Sequence, residues 1–346
     1  MLKKILLLIV LFCVGAYAGI LLFGNEGKSL DIAETNYIGS MHEGNFVWGG
    51  AMNLAWNEMA ENIIKEKEIK IATTDPLGAH MVDAFNTQFF TKDNLDSKSY
   101  YIKSGFGQKT VDLVNKESRE KFPNKSFDDL KLELNDRDFL AYAYFLKEVE
   151  YPDQFDEKEV SFLGHHVKGF VARSSEQKDN VIVQKYKNKD EFLINLKLKD
   201  EMDELFILKG LQYHKPEQIV DYIHDFGAMS GESMESIDVF EMPRISLNLN
   251  RKYKELINHF FLNPGFEDYY IAEMFENIKF DMDHKGARVE NEAVIKGVLL
   301  GTSMNVDKPK PRYFILDKPF WIVMKLVGSD SPYFILQVNN TNIMKK

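Results

Sequence analysis

The chain of 346 residues has a single cysteine, Cys13, placed in an apolar run near the N-terminus. Everything after it therefore lacks a disulfide, a thiolate metal site and a cysteine nucleophile. Stability has to come from packing, and a chain this long can bury a large enough core. Basic residues are also in short supply, with Lys+Arg 43 against Asp+Glu 53 and a formal net charge of −10. That deficit excludes a nucleic-acid binder working by phosphate neutralisation. Prolines number only 10, whereas hydrophobic residues reach 45% and aromatics 13%. Such a composition offsets ordering entropy by burial and excludes a disordered chain. Beyond Gly24 there is no repeat, low-complexity tract or Pro/Gly/Ser linker, so one domain is expected.

Catalytic patterns are equally scarce. The histidines, including the pair His165-His166, show no H-E-x-x-H or comparable ligand spacing, so neither a metal nor another cofactor is expected. Gly105-Phe106-Gly107-Gln108-Lys109-Thr110 resembles a phosphate loop only loosely, because Gln108 replaces the glycine before lysine; it reads as a turn opening a helix. Ser118 and Lys121 satisfy S-x-x-K, and Ser329-Asp330-Ser331 loosely follows S-D-N, but no K-T-G completes the set. A hydrolase built on Ser118 and Lys121 is the remote third reading, and the chain is not expected to be an enzyme. Acidic runs such as Asp200-Glu201 read as solvated faces.

The N-terminus is informative. Lys3 and Lys4 precede an uncharged stretch from Ile5 to Phe23, which at ~1.5 Å per residue just crosses a hydrocarbon core of ~30 Å. Ala16-Tyr17-Ala18 supplies a signal-peptidase pattern, so residues 1–23 read either as a cleaved signal or as a membrane anchor. The positive-inside bias keeps the lysines cytoplasmic in both cases. Residues 24–43 then form a lead segment, and 44–346 a domain expected outside the cytoplasm, whether secreted, periplasmic or membrane-tethered.

Within that domain, Met52, Ala55, Trp56, Met59 and Ile63 fall at helical spacing over Gly50 to Lys65. A second helix is expected near Val111 to Phe122, where Pro123 follows as a stop. Phe139 to Phe145 reads as a buried strand, and Val160 to Leu208 as strand-rich alternation. Helices are expected again at Pro216 to His224 and at Arg251 to Phe261, before a strand-rich C-terminal third. The class is α+β with large antiparallel or mixed sheets.

Several segments, in order, carry a family resemblance. Asp238-Val239-Phe240-Glu241-Met242-Pro243-Arg244-Ile245 is similar to the serpin strand ending in Leu-Pro-Lys/Arg-Phe. Ile278 to Lys285 resembles the segment carrying a His-Lys pair, and Val289-Glu290-Asn291-Glu292 the end of the long strand before the reactive loop. Asp317-Lys318-Pro319-Phe320 resembles the family's Asp-x-Pro-Phe, and Ser331 to Val338 its closing strand. Upstream, Leu140 to Lys147 with Tyr151 and Phe155 is similar to the Asn-Ala-x-Tyr-Phe-Lys strand, and Asn45-Phe46 to the family's Asn-x-Phe.

The resemblance, to the serpin family of serine protease inhibitors, implies a single, monomeric serpin-like domain whose exposed loop is cut by a serine or cysteine protease and then inserts into the central sheet. The loop would be Ala293 to Arg312, with Ile295, Gly297, Leu299, Gly301 and Ser303 facing the core, since strand side chains alternate. Loop register places the scissile bond at Lys308-Pro309, with Met304-Asn305 or Arg312-Tyr313 as substitutes. His284 and Glu292 would be structural, with His284 buried beneath the sheet. The chain departs from the family at the hinge, where Val294 to Leu300 is bulky instead of alanine-rich, and Pro309 makes a poor neighbour for a trypsin-like cut. Two functions follow: an exported endopeptidase inhibitor acting on a target protease, or a non-inhibitory binding or interaction protein on the same fold.

Overall fold

The computed structural model describes residues 37–38, 44–124, 129–211, 216–227, 231–288 and 310–344. Strands β1 (Tyr37–Ile38) and β2 (Asn45–Gly49) lead into helix α1 (Ala51–Glu58), continued by a π-helical stretch over Met59–Ile64. Lys65, at a left-handed φ of 61°, ends it. Met52, Trp56, Met59 and Ile63 are all buried, as their spacing requires. Helix α2 (Pro76–Asn86) starts where the Asp75 carboxylate accepts from the Leu77 and Gly78 amides.

Strand β3 (Tyr100–Phe106) runs into helix α3 (Gln108–Lys121) through Gly107, whose φ of 72° suits only glycine. Then come β4 (Phe139–Phe145), β5 (Val149–Glu150), β6 (Asp156–Phe162), β7 (His165–Ala172) and the short helix α4 (Ser175–Asp179). The strands β8 (Val181–Asn188), β9 (Glu191–Leu196) and β10 (Asp203–Lys209) precede α5 (Pro216–Gly227). The chain continues through β11 (Glu232–Ser233), β12 (Val239–Pro243), β13 (Ile245–Lys252), β14 (Phe275–Met282) and β15 (Gly286–Arg288). It closes with β16 (Tyr313–Ile315), β17 (Phe320–Leu326) and β18 (Phe334–Val338).

The largest sheet has eight strands in the order β1-β2-β18-β17-β10-β9-β8-β11. Phe320 to Met324 and Phe334 to Val338 are buried throughout, because other layers cover both faces of this sheet at its centre. A second sheet, β16-β12-β7-β6, includes the parallel pair β12–β16. The third, β13-β14-β15-β5, is linked through residues 146–148 to the pair β3-β4. Ile102, Ala141, Ala143 and Phe145 face the core on the side of α1. Tyr101 and Tyr144 face α3 instead, through the Glu117 carboxylate at 2.8 Å and the Phe122 ring at 5.0 Å. The α+β class and its large antiparallel and mixed sheets are as expected.

Helix α2 was not expected, and one expected helix is not there. Arg251 to Phe261 is not helical: Arg251 and Lys252 complete β13, and the chain then turns. Pairing with β14 along all eight residues of β13 outweighs the local helical spacing.

Candidate functional site

The third sheet ends, at β15, shortly before the candidate loop in sequence. Strand β15 pairs antiparallel with β14 on one side and with β5 on the other, so β14 and β5 are parallel and β15 lies between them. Its seat is specific. A β-carbon on Gly286 would collide with the Val149 carbonyl oxygen and come within 2.8 Å of the Glu150 Cα, so the backbones approach this closely only at glycine. Ala287, opposite Met282, is buried.

The turn from β14 into β15 is tied on both sides. The Asp283 amide donates to the Gly286 carbonyl at 2.9 Å, and the Asp283 carboxylate accepts from the Lys285 amide at 2.9 Å. From the segment after β5, the Tyr151 and Phe155 amides donate to the Lys285 and His284 carbonyls at 3.0 and 2.8 Å. Arg244 pairs with Asp283 at 3.3 Å.

These contacts correct the expected place of His284. It lies in the turn, with its side chain 17% exposed and its Nδ1 3.2 Å from the outlying Glu157 carboxylate. It is not beneath the sheet, because β14 ends at Met282 and the His-Lys pair falls past the strand's end.

The group that does lie beneath the sheet is Glu276. It shares the inward face of β14 with Ile278, Phe280 and Met282, all buried. The Tyr253 hydroxyl donates to its Oε2 at 3.0 Å, and the Met52 amide at the start of α1 to its Oε1 at 3.4 Å. Arg251 is its direct partner across the β13–β14 ladder and stacks 4.1 Å from the Tyr253 ring centroid. Burial pushes the Glu276 carboxyl up to about 7, against the pull of Arg251, the Tyr253 hydroxyl and the Met52 amide. Burial together with this carboxylate raises Tyr253. Sequence reading missed the cluster, although opposite charges at inward positions of two strands, Arg251 and Glu276, were a usable signal.

The far end of the candidate loop is anchored as well. The Asp238 carboxylate accepts from Arg312 Nη2 at 2.7 Å, Nε at 3.0 Å and the Arg312 amide at 2.8 Å. Burial works to raise the Asp238 carboxyl, but the Arg312 guanidinium and the backbone amides hold it below its ordinary value. Arg312, proposed as a substitute cleavage position, is thus built into the fold beside β12 and β16. Glu292, Ile295, Gly297, Leu299, Gly301, Ser303, Met304, Lys308 and Pro309 lie outside the described residues.

The hydrolase pair is not assembled for catalysis. Ser118 is buried and its hydroxyl donates to the Val114 carbonyl within the helix, while Lys121 donates to the Ser97 carbonyl at 2.8 Å. Among the described residues no group of three or more His, Cys, Asp or Glu could hold a metal ion, and no helix is long and apolar enough to cross a membrane.

No family model matches the sequence, and no curated protein matches it. Solved structures do resemble it. Mouse protein-Z dependent protease inhibitor aligns over 86% of this chain and 91% of its own, with 11% identity and a TM-score of 0.51. Thyroxine-binding globulin in complex with thyroxine aligns over 90% of this chain and 97% of its own, with 11% identity and a TM-score of 0.52. Serpin48 of the insect Tenebrio molitor covers 86% and 92%, with 13% identity and a TM-score of 0.49. The shared architecture spans nearly the whole of this chain, and it is the serpin fold.

Proposed function

We propose that this chain is an exported serpin-fold binding or interaction protein that does not trap proteases. One observation carries the reading: the run from Val294 to Leu300 is bulky where an inserting hinge would be small, so insertion would lag behind hydrolysis of the acyl-enzyme. A trap works only if insertion comes first. The proline after Lys308 points the same way. Export rests on Lys3-Lys4 followed by the apolar run to Phe23. The fold hosts binders as well as inhibitors, since thyroxine-binding globulin carries thyroxine on it.

The inhibitory reading keeps one observation in its favour. Among the described residues β15 covers the second edge of β14 only at Asp281 and Met282, which leaves the edge from Phe275 to Phe280 free for an added strand. Incubation with a panel of serine and cysteine proteases, followed by a denaturing gel, separates the two. Clean cleavage and an unchanged melting temperature after cutting are expected. A covalent protease complex, or a large rise in melting temperature on cutting, establishes the inhibitor instead.

A further inference from the structure

We propose that Glu276 is a proton-operated switch that couples the edge of β14 beyond β15 to the start of α1. Three elements converge on its carboxylate: β14 carries it, β13 supplies Arg251 and leads to Tyr253, and α1 offers the Met52 amide. The charged and titratable groups facing it are Arg251 and Tyr253. Helix α1 has one charged side chain, Glu58, and that bonds to the Ser104 hydroxyl at 2.7 Å. From α2, the uncharged Phe85 packs on Tyr253 with ring centroids 5.8 Å apart.

The edge of β14 makes this carboxylate responsive. Strand β14 is paired with β13 along its whole length, but β15 covers its other edge only at Asp281 and Met282. Among the described residues no strand pairs with that edge from Phe275 to Phe280, and β4 is paired only with β3. Near its start, Phe275 and Glu273 line an open groove of about 760 Å³ with Arg119, Leu130 and Lys131. Water can therefore reach the carboxylate by a small local opening of β14, without global unfolding.

The sign follows from the direction of the shift. The folded state holds the Glu276 proton more tightly than the ordinary value of 4.5 allows. Its contribution to the closed state is full below that value and is lost as pH rises through about 7. The neutral acid keeps β14 closed on α1, and the carboxylate favours the hydrated, opened edge.

Hydrogen exchange on the full chain, followed by mass spectrometry between pH 5 and 8.5, tests the switch. After correction for intrinsic base catalysis, protection of peptides spanning 275–282 should fall by up to about tenfold per pH unit as pH rises toward about 7, and level off above it. Peptides from β17 and β18 should show no such fall. Glu276→Gln, neutral at every pH, should abolish the dependence. Tyr253→Phe removes a donor to the carboxylate and should move the midpoint upward, which a purely structural role would not do. Equal pH profiles in wild type and E276Q overturn the proposal. Should E276Q not fold, an unmoved midpoint in Y253F overturns it and an upward shift supports it.

Discussion

Gly286 and Val149 meet backbone to backbone, so closely that no side chain fits between β15 and β5. Gly286→Val should therefore expel β15 from the sheet. The expected cost is roughly 2–4 kcal/mol, from overpacking and lost strand pairing. Trypsin should then cut after Arg288 much faster than in the wild type, as peptide mapping would show. A variant with unchanged melting temperature and unchanged cutting would mean that β15 is not held there.

Arg312→Ala leaves the buried Asp238 carboxylate without its cation. Removing one partner of such a pair costs about 3–5 kcal/mol, measurable by urea denaturation. The same pair predicts a pH effect. Asp238 is held below its ordinary value of 3.8, so its contribution is present above that value and is lost as pH falls through the lower, folded one. Arg312→Ala should lose that acid-dependent component; an acid limb identical to the wild type's would contradict it.

His284→Ala should cost less than about 1 kcal/mol, because its one ionic partner, Glu157, is 68% exposed and surface pairs contribute little. A loss of several kcal/mol in thermal denaturation would restore the expectation of a buried structural histidine.

Lys147 and Asp203 form an ion pair at 2.8 Å with side chains only 9% and 1% exposed. Lys147→Ala strands a carboxylate in the core and should destabilise by roughly 3–5 kcal/mol. Replacing both partners by apolar residues, as Lys147→Met with Asp203→Leu, should recover part of that loss. If the double variant is no more stable than the single one, the pair is not the source of the cost.

The class of the fold was legible because the apolar periodicity of α1, β4 and the strands from β8 to β10 survives into the structure. Ordered short motifs carried the resemblance to serpins even though identity to protein-Z dependent protease inhibitor and to thyroxine-binding globulin is 11%. Helix α2 was missed, although Asp75-Pro76 is a cap followed by proline at the first helical position. The candidate site was read less well. Linear similarity carried the strand past His284, whereas the Asp283 turn and the Gly286 seat reverse the chain there. Such a reversal is decided by what β5 presents across the sheet, more than 130 residues earlier in the sequence. Glu276 was passed over for a related reason: a single acid in an alternating strand looks solvated until its register with Arg251 is known.

The order of strands in the eight-stranded sheet also sets when the protein can fold. Strand β2, near the start of the chain, joins the sheet's main body only through β18, and β17 is the strand between β18 and β10. Until the ribosome has delivered residues 320–338, β2 has no neighbour but the two-residue β1, and β10 has one bare edge. Closure of this sheet therefore waits for the completed chain, and its long sequence separations make it slow. A sheet whose two parts meet only through the last strands stays divided throughout synthesis.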